Sequence, residues 1–232
     1  MSSRRTRLIH WIEQGAIAPA RVWPALAVAG VTPDRARWLG FLQRLMLVLG
    51  TLALALAVLF FVAFHWQGMG RFSRLGLLQL PLLAAVFGYW KLGTERFPAR
   101  LALFAAALLL GALLAQLGQA YQTGADNWQL FASWALLMLP WTVVGRFAPL
   151  WLLFLLLTNL AVTLYFQVFP GLLWIGFGAG DQVLWLLLLF NTAAWALWEM
   201  GAARLDWLSP RWAVRLVAIA SGSAMTLLVL QA

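Results

Sequence analysis

Long apolar runs alternate with short polar breaks along most of this chain. Seven runs fall at about 42–66, 75–90, 101–120, 128–145, 147–169, 183–200 and 213–231. Most of them have the roughly 17–25 residues that carry a helix across a hydrocarbon core of about 30 Å. In lipid every backbone N–H and C=O must be paired within the segment, so each run is expected to be helical. The run at 75–90 is the shortest and contains Gln79 and Pro81, while those at 128–145 and 147–169 are separated only around Arg146, which predicts a tight helical hairpin. The expected fold class is therefore all-α, a polytopic transmembrane bundle of about seven helices.

Residues 1–41 form a polar preface with its own local signals. Leu8, Ile9, Trp11 and Ile12 recur at helical spacing between Arg5 and Gln14, and Gly15 follows as a helix stop. Pro19 suits the first turn of a second short helix, which Pro24 interrupts and Gly30 ends. Thr32-Pro33-Asp34 then reads as an N-cap, a first-turn proline and an acidic residue opening a third helix that runs unbroken into the first span. With Arg4, Arg5 and Arg7 beside its apolar positions, the preface suits an amphipathic element lying on anionic headgroups; the alternative is a small three-helix cap whose apolar faces bury each other. Residues 1–41 are thus an N-terminal cytoplasmic or interfacial module, and 42–232 the transmembrane bundle.

Composition agrees with lipid as the solvent. Hydrophobic residues make up 64% of the 232 and charged residues 10%, against about 45–50% and 25% in soluble domains. The formal charge of +9 does not point to nucleic acid, because the basic residues lie in separate breaks between apolar runs and form no continuous face. The chain has no cysteine, which removes disulfides, thiolate nucleophiles and cysteine metal sites. The first long run begins only near Leu42, too far along for a signal peptide, so the first span is expected to remain attached. The last run reaches Leu230-Gln231-Ala232 with no polar flank, which predicts either a helix ending flush with the outer surface or a chain that continues further.

The charges also predict orientation. With the N-terminus inside, the cytoplasmic segments hold Arg4, Arg5, Arg7, Arg21, Arg35, Arg37, Arg44, Lys91, Arg96, Arg100, Arg146, Arg204, Arg211 and Arg215, leaving Arg71 and Arg74 outside. Such an excess is the positive-inside pattern, and merging or dropping one span would scramble it. Trp66, Trp90, Trp128, Trp151, Trp174, Trp185, Trp198 and Trp212 lie near span ends, where an aromatic belt is expected.

Polar side chains are scarce in these spans, and the densest group is Gln116, Gln119, Tyr121, Gln122, Thr123, Asp126 and Asn127. On a helix extended through this segment, Gln116, Gln119, Gln122 or Thr123, and Asp126 share one face. Gly111 and Ala115 form a small-xxx-small pair that lets a neighbouring helix approach. One reading is a periplasm-facing pocket for a polar ligand or cation, with His65 contributing; the other is that the amides glue helices together while Tyr121, Thr123 and Asp126 end a helix at Gly124. Asn159 and Asn191 lie near the middle of two spans, where hydrogen bonding with each other or with Thr158 or Thr192, or else a substrate path, would satisfy them. Glu199 and Asp206 flank Arg204 as expected charge partners, and Asp181 closes an outer loop containing Gly176, Gly178 and Gly180. No metalloprotease pair of histidines is present, and Ser223 has no histidine near it in the predicted topology, so no catalytic residue, metal site or cofactor is assigned.

The run Leu117-Gly118-Gln119-Ala120-Tyr121-Gln122-Thr123-Gly124-Ala125-Asp126, followed by Trp128-Gln129-Leu130-Phe131, resembles the signature of the DUF2157 family of predicted bacterial membrane proteins. Trp11-Ile12-Glu13-Gln14-Gly15-Ala16-Ile17 is similar to that family's opening, and Phe61-Val62-Ala63-Phe64-His65-Trp66 to the end of its first helix, where an asparagine is expected in place of His65. The resemblance implies a short N-terminal module before many helices, and it directs attention to Gln119, Tyr121, Gln122, Thr123, Gly124 and Asp126 without supplying a reaction. The resulting expectation is a multi-pass protein of the bacterial inner membrane, acting in the bilayer as a binding or assembly component with a membrane-protein partner or a second copy of itself. The alternatives are a small-molecule transporter or channel subunit and, third, an intramembrane enzyme.

Overall fold

A computed structural model describes residues 4–28, 35–65, 68–121, 124, 126–169 and 181–231. Among these residues there are nine α-helices and no strand: α1 (Arg4–Glu13), α2 (Val22–Val28), α3 (Arg35–Phe64), α4 (Arg71–Leu92), α5 (Phe97–Tyr121), α6 (Asn127–Gly145), α7 (Ala148–Val168), α8 (Asp181–Ala202) and α9 (Arg211–Gln231). Seven of them, α3 to α9, are long and apolar enough to cross a membrane. The chain is an all-α polytopic bundle, and it divides into two units, residues 1–50 and 51–232.

In the first unit α1 ends where expected. Gly15 takes a positive φ of 69°, and the N–H groups of Gly15 and Ala16 close on the carbonyls of Ile12 and Trp11. Pro19 opens a 3₁₀ turn, Pro19–Arg21, that leads directly into α2, so Pro24 sits in the first turn of α2 and interrupts nothing. Gly30 and the Thr32-Pro33-Asp34 cap lie outside the described residues. Leu8 is the one buried side chain among the described residues of this unit, and Trp11, Trp23 and Val28 are exposed. From Arg35 the third helix continues without interruption to Phe64.

The second unit is organised around helical hairpins. α4 lies along α5, α6 along α7 and α8 along α9; α5 also packs on α6, and α7 meets both α8 and α9. α4 begins earlier than its apolar run, at Arg71, so Arg71 and Arg74 belong to its first turn, and Pro81 is accommodated within it. Neighbouring helices and local adjustment tolerate proline inside membrane helices, and the same holds for Pro140 in α6.

The α6–α7 connection is as short as the sequence implies. Arg146 adopts the left-handed conformation after Gly145, Phe147 is extended, and Pro149 falls in the first turn of α7. A Cβ on Gly145 would press against the side chains of Leu103 and Leu150, so this glycine is what lets α5 and α7 close around the hairpin.

One buried cluster joins α4 to α7 through Tyr89, Leu103, Ala107, Met138, Leu150 and Leu157. The indole of Trp134 packs against it, lies where a Cβ on Gly111 would be, and donates its Nε1–H to the carbonyl of Ala107 at 2.8 Å. A second cluster joins α7, α8 and α9 through Ala148, Trp198, Ala213, Val214 and Val217. Trp198 is buried and donates to the carbonyl of Leu208 at 3.0 Å, while Trp151 stacks on Trp207. These two tryptophans pack against the second cluster and join its helices, while Trp66 and Trp174 lie outside the described residues.

Gly111→Val is expected to expel the Trp134 ring and destabilise the bundle by about 1–3 kcal/mol, the usual cost of overpacking a core. Trp134→Phe keeps the aromatic packing and is expected to cost about 1 kcal/mol for the lost hydrogen bond. Thermal unfolding of the purified protein in detergent, followed by circular dichroism, reads both, and Gly111→Val should lower the midpoint more than Trp134→Phe.

Candidate functional site

The polar end of α5 is shaped by where the helix stops. α5 ends at Tyr121, Gly124 has a positive φ of 63°, and Asp126 stands extended as the N-cap residue of α6 without a side-chain capping bond. The turn at Gly124 breaks the continuous helix expected through Asp126, so Asp126 shares no face of α5 with Gln116 and Gln119 and instead opens the next helix. Gln122 and Thr123 lie outside the described residues.

The turn brings the polar residues together by a different route. Gln119, Tyr121 and Gly124 from the α5 end and Asp126, Gln129 and Ser133 from the α6 side line one cleft of about 590 Å³. Gln119, Tyr121, Gly124, Asp126, Asn127, Gln129 and Ser133 are all exposed. The cleft thus presents amide, hydroxyl and carboxylate groups to an incoming molecule. Behind it, Trp128 on the first turn of α6 packs edge-on against Tyr165 near the end of α7, at 5.0 Å between ring centres. Gln129 and Ser133 were not singled out by spacing, because their proximity to Tyr121 depends on the turn.

Gln116 faces another way. It is only 4% exposed and lines a separate cleft of about 370 Å³ with Leu59 and Val62 of α3, Leu78 of α4, and Ala112 and Gln119 of α5. Its Nε2 is buried and has no hydrogen-bond partner among the described residues. An unpaired buried amide costs about 1–3 kcal/mol in mutational data on proteins. Gln119 touches both clefts and links them along one edge of α5.

His65 belongs to neither cleft lining. Its Nδ1 lies 3.1 Å from the carbonyl of Phe61, and its ring packs against Phe61 and Phe64.

The mid-span asparagines satisfy each other. Asn191 Nδ2 donates to Asn159 Oδ1 at 2.6 Å and Asn159 Nδ2 donates back to Asn191 Oδ1 at 3.1 Å. The same two amide groups also reach the carbonyls of Leu187 and Leu155 one turn earlier. This reciprocal pair ties α7 to α8 beside a cleft of about 400 Å³ lined mainly by leucines. Thr192 and Ser221 add a hydroxyl contact of 2.6 Å between α8 and α9, and Ser223 bonds the carbonyl of Ala220 within its own helix.

Two expectations about charges change. Glu199 pairs with Arg211 at 3.8 Å and not with Arg204, because the turn after α8 returns the start of α9 to that position. Both partners are well exposed, where ion pairs add little stability. Asp181 is the first residue of α8, and the glycine-rich stretch before it lies outside the described residues. Among the described residues no three His, Asp or Glu side chains gather as a metal site.

A family model described as a predicted membrane protein, DUF2157, matches residues 10–151. The match includes α3 to α6, both clefts at the end of α5, and the start of α7. Comparison with curated proteins and with solved structures gave no significant match. The matched region covers more than half of the chain and contains the Gln119–Asp126 segment, and on that ground this protein belongs to the DUF2157 family of predicted membrane proteins.

Proposed function

We propose that this protein is a non-catalytic binding or assembly component of the bacterial inner membrane whose working surface is the polar cleft at the junction of α5 and α6. The observation that carries this reading is the gathering of Gln119, Tyr121, Asp126, Gln129 and Ser133 around one accessible cleft, at the end of a helix that is apolar from Leu101 to Ala115. A membrane protein that only needed to end α5 would need a turn there, not a cluster of exposed amides and a carboxylate. The positive-inside pattern supports a cytoplasmic N-terminus and, with it, a periplasmic position for this cleft. Exposed Trp11 and Trp23, beside Arg7 and Arg21, suit an interfacial position for the N-terminal helices.

A transport path would draw on Asn159 and Asn191, the polar groups deepest in the spans. Their amides are committed to each other and to helix carbonyls, which supports a structural clamp over a substrate path. A membrane-protein partner or a second copy of the chain would meet the cleft with complementary donors and a cation for Asp126.

A photoreactive phenylalanine analogue at Tyr121, irradiated in native membranes, is expected to give a discrete adduct, at twice the chain mass if the partner is a second copy. Asp126→Ala should abolish the adduct, and the same analogue at the exposed, apolar Leu136 should give none. An adduct indifferent to Asp126→Ala, or equal yields at both positions, would refute the binding surface. The cysteine-free chain also permits a clean topology measurement. In intact cells with a permeabilised outer membrane, an impermeant maleimide should label Asn127→Cys and leave Arg96→Cys unreacted, and the opposite result would invert the orientation.

A further inference from the structure

From the cleft between α3, α4 and α5 we infer a lipid site, in which the acyl-ester carbonyl of a membrane lipid accepts the N–H of Gln116. The inference stands apart from the polar cleft at the α5–α6 junction and shares with it only Gln119 on the rim.

Three observations meet at Gln116. Its side chain is 4% exposed, its Nε2 has no partner among the described residues, and it lines a cleft of about 370 Å³ whose other lining residues are apolar except for Gln119 at the rim. The N–H is enclosed as the side chain stands, so it pairs with an acceptor arriving from outside the protein only when the amide turns about its terminal torsion to face the cleft. The cleft walls restrict what can bring it. Leu59 and Val62 from α3, Leu78 from α4 and Ala112 from α5 offer apolar contact along the path, so the molecule carries an oxygen acceptor on a hydrocarbon body.

Depth identifies the acceptor. The 25 residues of α5 span about 37 Å at 1.5 Å per residue, against a hydrocarbon core of about 30 Å. A helix centred on that core overhangs it by about 4 Å at each end, and Gln116, five residues before the end at Tyr121, then lies about 4 Å inside the boundary. That boundary is where glycerolipids carry their ester carbonyls, since the ester joins the headgroup side to the acyl chain. Water is scarce at this level, so a lipid carbonyl is the acceptor at hand. The acyl chain below the ester then lies against the apolar walls.

The full-length protein, purified in detergent and stripped of lipid, tests this with two probes: dioleoyl phosphatidylglycerol and its diether analogue. The two have the same headgroup, charge and hydrocarbon chains and differ in the carbonyls. The diester is expected to bind about five-fold more tightly, the contribution of one hydrogen bond, as read from lipid adducts in native mass spectrometry and from the lipid-dependent rise in melting temperature. Gln116→Met removes the donor at nearly constant volume and should erase the difference between the two lipids. Ala63→Trp, which fills the cleft from its exposed rim on α3, should weaken both lipids equally even if Gln116→Met fails to fold. Asp126→Ala should leave the diester preference intact, which separates this site from the polar cleft. Equal binding of diester and diether to the unmodified protein, or a preference that survives Gln116→Met, would overturn the assignment.

Discussion

The indole of Trp134, seated on Gly111 and bonded to the carbonyl of Ala107, fixes where α6 lies against α5, and most of the remaining architecture depends on that contact. Lipid supplies no hydrophobic drive for one apolar helix to choose another, so close packing and hydrogen bonds decide the pairing. Gly111 provides the space, Trp134 fills it, and the Nε1–H finds an acceptor that is already part of the helix. α4 packs on the same helix, and Gly145 lets the α6–α7 hairpin close against Leu103. The polar cleft at the α5–α6 junction inherits its geometry from this contact, because the short turn through Gly124 can join the two helices only when they lie side by side.

The spans were legible because lipid imposes a length and an apolar composition on any segment that crosses it. Arg146 marked the tight hairpin, Gly15 the end of α1, and the small-xxx-small pair at Gly111 and Ala115 a close approach on α5. What the periodicity missed lies where the chain turns or where distant helices meet. Extending α5 to Asp126 ignored the positive φ that Gly124 takes, and with it the chance to see Gln129 and Ser133 beside Tyr121. Trp134 as the occupant of the Gly111 notch, 23 positions further along, has no local signal. Trp198 and Trp151 sat near span ends and read as belt residues, yet Trp198 is buried on Leu208 and Trp151 stacks on Trp207. Local spacing gave Glu199 the wrong arginine for the same reason: its partner arrives from the next helix.

Polar side chains within these helices reach two different ends. Asn159 and Asn191 satisfy each other and clamp α7 to α8, so their cost in an apolar medium is offset inside the protein. Gln116 is as buried as Asn191 but has no such partner for its amide N–H among the described residues. Gln119, three residues later, is exposed and touches both clefts of α5. Within two turns of one helix the polar groups therefore change from inward and unpaired to outward and available. This gradient makes the end of α5 the chemically distinctive part of the molecule, while the amides at the centre of α7 and α8 are paired with each other.

That distinction between available and mutually paired amides can be measured on single-cysteine proteins in reconstituted vesicles. An impermeant methanethiosulfonate reagent should modify Gln119→Cys rapidly and leave Asn191→Cys unmodified in the folded protein. Rapid modification at Asn191→Cys, or protection of Gln119→Cys, would contradict the account by showing a water-filled path through the middle of the bundle or a sealed end of α5.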